Sequence, residues 1–191
     1  MLRFNFVQTS LAGLVLVQRK AIEDDRGFLS RFYCADEFRS AGLDKPIAQI
    51  NHTLTRKKGA VRGLHFQNPP HAETKLVSCL KGEIWDVAID LRRESPTFLK
   101  WHAEILSAKN RSSLLIPEGF AHGFCSLTNN STLHYKCTNY RNPNSETGII
   151  WNDKKLNIKW PIKKPILSSK DKINQEFNKF IGSKEFLNSK W

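Results

Sequence analysis

From residue 3 to about residue 150 the chain alternates apolar and polar side chains at every second position, in short runs broken by glycine, proline and asparagine. The segments LVLVQRKAI (14–22), LSRFYC (29–34), IAQINHTLT (47–55), AVRGLHFQ (60–67) and FLKWHAEILS (98–107) all carry this period of two. A side chain that points to opposite faces at each step is a strand residue, because a helix repeats every 3.6 positions. So many short strands, with helical spacing only at the margins, predict a mainly β chain folded as an antiparallel sandwich or barrel. A jelly roll is the form that closes such sheets into two layers around a cavity. At 191 residues the chain fits one domain, 1–191, whose last part (about 172–191) is a basic helix or tail.

Two hairpins are expected. TKLVSCL and EIWDVAIDLR flank Lys81-Gly82, and HGFCSLT and TLHYKCTNY flank Asn129-Asn130-Ser131, where the central residues tolerate positive φ. ADEFRSAG (35–42) predicts a short helix with Asp36 as N-cap and Gly42 just past its end. A second helix is expected after LSSKD (167–171), where Ile173, Phe177 and Phe180 recur at helical spacing, with the last ten residues frayed.

The formal charge of +12 is concentrated. Ten lysines face three acids from residue 154 onward, so more than half of the excess lies in the last fifth of the chain. A charge run of this kind reads as a solvated face, and nucleic acid is not an expected partner. LAGLVLV (11–17) is too short to span a bilayer and runs directly into QRKAIEDDRG, so no membrane association is expected and the cytoplasm is the expected compartment. Cys34, Cys79, Cys125 and Cys137 lack CxxC spacing and read as reduced, buried thiols.

Polar residues on the inward faces carry the functional signal. In EIWDVAIDLR, Trp85, Val87, Ile89 and Leu91 share one face and Asp86, Ala88 and Asp90 the other, so Asp86 beside a small residue looks toward a cavity. In TLHYKCTNY one face holds Leu133, Tyr135, Cys137 and Asn139. Arg62 and His65 are an odd number of residues apart and point to opposite faces unless Gly63 interrupts the alternation with a bulge. IPEGFAHGF adds His122 behind a Pro-x-Gly turn, a pattern that is similar to the second half of the cupin signature. The first half normally supplies a His-x-His pair, and here it reads His65-Phe66-Gln67, with glutamine in one ligand position. His65, His71, Glu73 and His122 are the remaining candidate ligands, and a metal-free cavity is the favoured reading.

Taken in order, DDRGFLSRFY, QINHTLTRKKGAVRGLHFQNPP, KLVSCLKGEIWDVAIDLRRESPTF, LSAKN, IPEGFAHGF, YKCTNY, WNDKKLNIKWP and LSSKD give a chain that resembles the dTDP-4-dehydrorhamnose 3,5-epimerases, cupin-fold enzymes acting on nucleotide-linked 4-keto-6-deoxy sugars. The resemblance implies a cytoplasmic enzyme of surface-polysaccharide sugar synthesis that needs neither redox cofactor nor metal. It implies His65 as base, Asp171 as the carboxylate behind it, Lys75 as the cation beside the enolate oxygen and Tyr135 as the proton donor across the ring. Arg62 would hold the diphosphate, His122 would orient a group of the site, and Arg26, Arg31, Gln49, Asn51 and Arg141 complete the substrate-binding set. It also implies a homodimer whose N-terminal strands cross the subunit interface and supply part of the nucleotide site. Leu29 and Arg31 stand where the family usually has an aromatic residue and a glutamate, and Arg141 where an aromatic that stacks on the base is common. These departures leave open a CDP-linked or other nucleotide sugar and epimerisation at C3 alone. A metal-dependent cupin using His65, Glu73 and His122 and a non-catalytic sugar- or nucleic-acid-binding module are the other readings.

Overall fold

The alternating segments fold into strands almost wherever the period of two predicts them. The computed structural model describes residues 2–191. In chain order the strands are β1 (Phe4–Gln8), β2 (Val15–Arg19), β3 (Ala21–Asp24), β4 (Gly27–Ser30), β5 (Gln49–Thr55), β6 (Val61–Gln67), β7 (Lys75–Lys81), β8 (Glu83–Asp90), β9 (Trp101–Ser107), β10 (Ser112–Ile116), β11 (Phe120–Ser126), β12 (Ser131–Cys137) and β13 (Glu146–Gly148). Among the described residues the helices are short: α1 (Ala35–Arg39), α2 (Ser169–Lys172), α3 (Phe177–Ile181) and α4 (Lys184–Leu187).

A six-stranded sheet runs β1-β2-β10-β7-β12-β5 and faces a five-stranded sheet, β13-β6-β11-β8-β9, while β3 and β4 pair only with each other. This two-layer antiparallel arrangement is the expected jelly roll. Inward side chains of both sheets meet in one core: Val77, Cys79, Leu114, Ile116 and Leu133 from the first, and Ile84, Ala88, Leu106, Phe120 and Phe124 from the second. Each of the valine, leucine, isoleucine and phenylalanine side chains contributes roughly 1.5–3 kcal/mol when fully removed from water.

Neither expected hairpin forms. The turns are present, with Gly82 at φ +76° and Asn130 at φ +55°. Yet β7 lies in the six-stranded sheet and β8 in the five-stranded one, and β11 and β12 are divided in the same way. Alternation and a tight turn specify two consecutive strands, not that the two pair. Here the two corners satisfy each other instead: Glu83 N donates to Thr128 Oγ1 at 3.1 Å, and Ser126 Oγ donates to Ser131 Oγ at 2.8 Å. The hydroxyls thus hold the corners where the chain changes layer.

The helices also differ from expectation. Cys34, not Asp36, occupies the cap position of α1, in extended conformation and without a side-chain cap bond. Asp36 lies in the first turn, where its charge meets the positive end of the helix and pairs with Arg39 at 3.2 Å. The C-terminal helix breaks at Ile173, which is exposed, because Gln175 leaves the helical path to bridge Ile149. Phe177, Phe180 and Phe186 are then buried against Leu64, Phe66, Val87 and Ile89 on the outer face of the five-stranded sheet. The Trp191 ring sits 6.3 Å from that of Phe66, so the last residues are packed rather than frayed. All four cysteines are free, and no helix among the described residues is long and apolar enough to cross a membrane.

Candidate active site

Between the sheets lies a cavity of about 580 Å³. The five-stranded sheet lines it with Arg62 and His65 of β6, His122 of β11 and Glu146 of β13. The six-stranded sheet lines the other side with Gln49, Asn51 and Thr53 of β5, Lys75 of β7, and Tyr135 and Cys137 of β12. Glu73, Arg141, Ser168, Lys170 and Asp171 complete the wall.

Gly63 brings Arg62 and His65 into the same cavity. His122 stands opposite His65 and Phe124 opposite Arg62, so Gly63 and Leu64 together oppose the single residue Gly123. One extra residue restores parity across an odd interval, which is what a β-bulge does. Gly63 has φ +128°, and a Cβ there would lie 2.6 Å from Gly123 Cα and 2.8 Å from the His122 carbonyl oxygen. Only glycine fits.

His65 Nε2 is 2.6 Å from Asp171 Oδ1. Asp171 is 3% exposed, and α2 holds it through its own backbone N–H, which donates to Ser168 Oγ at 3.0 Å. Burial alone would raise the Asp171 carboxyl. The hydrogen bond and charge of His65, with help from Ser168 and Lys170, outweigh it and hold the group below the usual carboxylate range. A carboxylate only accepts, so the neutral imidazole carries its proton on Nε2 and its lone pair on Nδ1. Beside this pair, His122 Nε2 lies 2.8 Å from Asp86 Oδ1. Asp86 points inward, as its parity with Ala88 predicts, but it is fully buried and does not line the cavity, and its second oxygen has no hydrogen-bond partner.

On the opposite wall Lys75 Nζ sits 3.2 Å from Glu73 Oε1. Burial raises the Tyr135 phenol above its ordinary value, Cys137 and Glu73 add to this, Arg62 opposes it, and Glu146 adds a little more. Burial and the neighbouring Glu73 push the Cys137 thiol up to about 12. At the rim Glu146 holds two cations, Arg141 Nη2 at 2.8 Å and Lys170 Nζ at 2.9 Å. Its burial favours the neutral acid, but the hydrogen bonds and charges of Lys170 and Arg141 hold it below its ordinary value. Arg62 donates to Thr55 Oγ1 and to the Leu54 carbonyl, both at 3.2 Å, and the backbone N–H of Arg141 donates to Gln49 Oε1 at 3.0 Å.

His65, Lys75, Tyr135, Asp171, Gln49, Asn51, Arg62, His122 and Arg141 are therefore brought together from five strands, a loop and a helix. Arg26 and Arg31 are not. Arg26 pairs with Asp24 at 2.6 Å in the turn between β3 and β4, and Arg31 pairs with Glu37 at 3.1 Å. Sequence reading gave no role to Glu146, Lys170 or Ser168, and weighed Glu73 only as a metal ligand. Lys170 and Ser168 lie inside LSSKD, a segment read for its aspartate, whereas nothing around Glu146 marks it. Gln67, in the cupin ligand position, donates to the His71 carbonyl at 2.9 Å and accepts from Asn142 N at 2.6 Å, tying down a loop. No group of three or more His, Cys, Asp or Glu side chains among the described residues is arranged to hold a metal ion.

The model of the family described as dTDP-4-dehydrorhamnose 3,5-epimerase matches residues 8–179. The dTDP-4-dehydrorhamnose 3,5-epimerase of Shigella flexneri is 43% identical over 174 residues, covering 91% of this chain and 96% of its own. The crystal structure of dTDP-4-dehydrorhamnose 3,5-epimerase from Bacillus anthracis, with TDP and PPi bound, superposes with a TM-score of 0.88 at 40% identity, covering 91% of this chain and 99% of that one. The dTDP-6-deoxy-D-glucose-3,5-epimerase of Legionella pneumophila, solved in complex with dTDP-4-keto-L-rhamnose, gives a TM-score of 0.87 at 38% identity over 92% of this chain and 93% of its own. A family match over most of the length, these identities and a shared architecture lead to one conclusion: the chain belongs to the dTDP-4-dehydrorhamnose 3,5-epimerase family.

Proposed function

We propose that the protein epimerises C3 and C5 of a dTDP-linked 4-keto-6-deoxyhexose in the cytoplasm, without a cofactor. The observation that carries this reading is the 2.6 Å contact between His65 Nε2 and Asp171 Oδ1 inside a cavity whose facing wall bears Lys75 and Tyr135.

The 4-keto group acidifies the hydrogens on both neighbouring carbons. His65 Nδ1 takes one of these protons, and the C–H electrons move into a new C=C bond as the ketone becomes an enolate. Asp171 stabilises the imidazolium that results, and its hydrogen bond fixes the ring. The Lys75 ammonium balances the charge growing on O4. Tyr135, on the other sheet, returns a proton to the carbon from the opposite face, which inverts the centre. Arg62 and the rim cations Arg141 and Lys170 supply positive charge for the diphosphate. One positioned base of this kind contributes typically about 10²–10⁴-fold.

The β3–β4 hairpin supports a homodimer in which Arg26 and Arg31 serve a neighbouring copy's cavity. It carries Phe28 and Leu29 at 58% and 72% exposure. A monomeric mass in solution at working concentration would remove that part of the reading.

The test is isotope exchange. Incubation with dTDP-4-keto-6-deoxyglucose in D₂O should place deuterium at C3 and at C5, read by mass spectrometry and NMR. Deuterium at C3 alone would restrict the activity to one centre, and a folded protein giving none at either would overturn the reading.

A further inference from the structure

Three carboxylates line the cavity, and two of them have evident tasks. Asp171 serves His65, and Glu146 holds Arg141 and Lys170. The third, Glu73, lies on the side where the proposed enolate charge would grow, where a negative group is unexpected. Its side chain is 9% exposed, that of Lys75 is 14% exposed, and the two meet at 3.2 Å.

Resting on the epimerase reading, we propose that Glu73 is a positioning residue for the acid side of the cavity, anchoring the Lys75 ammonium and acting as a local anion on Tyr135. An ammonium drawn this far out of water loses hydration, and its charged form then needs a partner. Glu73 is that partner, so Lys75 stays available as a cation against O4. The same charge acts on Tyr135. The groups that bear on this phenol are Cys137 on its own strand, Glu73 in the loop before β7, Arg62 from β6 and Glu146 from β13, and Lys75 of β7 lines the same cavity. Glu73 works in the direction of burial and against Arg62. A residue that must hand a proton to carbon has to keep it until the enolate forms, and a neighbouring anion disfavours the phenolate. Glu73 therefore extends to higher pH the range over which Tyr135 keeps its proton.

A direct readout exists because the chain has three tyrosines, Tyr33, Tyr135 and Tyr140. With tyrosine labelled by ¹³C at the ring carbon bearing the hydroxyl, a pH titration followed by NMR gives each midpoint, and Tyr135→Phe assigns the resonance. Glu73→Gln, which keeps the shape and removes the charge, should lower the Tyr135 midpoint and leave those of Tyr33 and Tyr140 in place. Glu73→Asp should restore most of it. An unmoved Tyr135 midpoint in the folded Gln variant overturns the proposal. The alkaline limb of deuterium exchange should move to lower pH in step with the NMR midpoint. A uniform loss at every pH, with the limb unmoved, would assign Glu73 a merely structural role and also overturn the proposal. The titration needs no turnover, so failure of exchange in the wild-type protein would count against the epimerase reading while the NMR result still decides the role of Glu73.

Discussion

His65 and His122 stand directly opposite each other on neighbouring antiparallel strands, and each turns its Nε2 to a different buried aspartate. The two pairs look alike and differ in their surroundings. Asp171 also has Lys170 and the Ser168 cap in support, whereas one oxygen of Asp86 has no partner at all. The consequences of deletion should therefore separate. His65→Ala should lower C–H exchange by about 10²–10⁴-fold and cost less unfolding free energy than His122→Ala, because Ser168 and Lys170 still support the Asp171 carboxylate. His122→Ala strands a fully buried carboxylate and should cost about 3 kcal/mol in a urea titration. Equal effects of both substitutions on both measurements would contradict this division.

Acid should act through Asp171. Its folded pKa is depressed, so the stability it contributes is fully present above the unfolded carboxylate value of about 3.9 and is lost as pH falls through the lower folded value. The difference in unfolding free energy between wild type and Asp171→Asn should therefore shrink steadily below about pH 4. A difference that stays constant down to pH 2 would mean that the carboxylate charge plays no part in the pair.

Gly63→Ala should be severe at a position that touches no substrate. The new methyl would collide with the backbone of β11, and φ +128° is a conformation that alanine resists. A loss of about 2 kcal/mol or more is expected in thermal or chemical unfolding. Because the bulge sets the parity of Arg62 and His65, activity should fall even at temperatures where the variant is fully folded.

Lys136 offers a test with the opposite sign. On the outer face of the six-stranded sheet it is 5% exposed, donates to His134 Nδ1 at 3.2 Å, and lies 5.3 Å from the Phe32 ring that Arg19 also covers. Burial first, and the Arg19 charge second, lower its pKa from 10.5 to about 8. Between those values the unfolded chain holds a proton that the folded one has released, so this group makes stability rise with pH. The buried thiols act the other way, with Cys79 and Cys125 raised to about 11 and Cys137 to about 12. The difference curve between wild type and Lys136→Met isolates the lysine: the variant should be the more stable at pH 7, and its advantage should fade by about pH 10.5.

The sequence revealed faces better than partners. Ala88 marks the inward side of β8, which places Asp86 on that side but not in the cavity wall. Gly63, lying between two polar residues of opposite parity, marked the bulge. What alternation does not encode is which strands pair. The turns at Gly82 and Asn130 were legible, but the change of layer at both depends on hydroxyls, Thr128 and Ser131, that meet only once the corners meet. Glu146 escaped for a related reason, since its importance comes from Arg141 and Lys170, and Lys170 is distant along the chain. Asp36 was read as a cap because its side chain suits one. The helix instead begins two residues earlier than that choice allows, at Ala35, and the charge is used in the first turn.

His65, the proposed base, stands on β6 and Tyr135, the proposed proton donor, on β12, so the two belong to separate sheets. Facing sheets stand about 10 Å apart, and the spacing follows from what fills the gap. Ile84, Leu106, Leu114 and Leu133 belong to that filling, and Tyr135 leans against it. The apolar interior is thus a gauge block, whose thickness sets how far His65 stands from Tyr135. Shaving a leucine there would loosen the jaws around the sugar as well as weaken the fold, and turnover would register the error while most molecules were still folded.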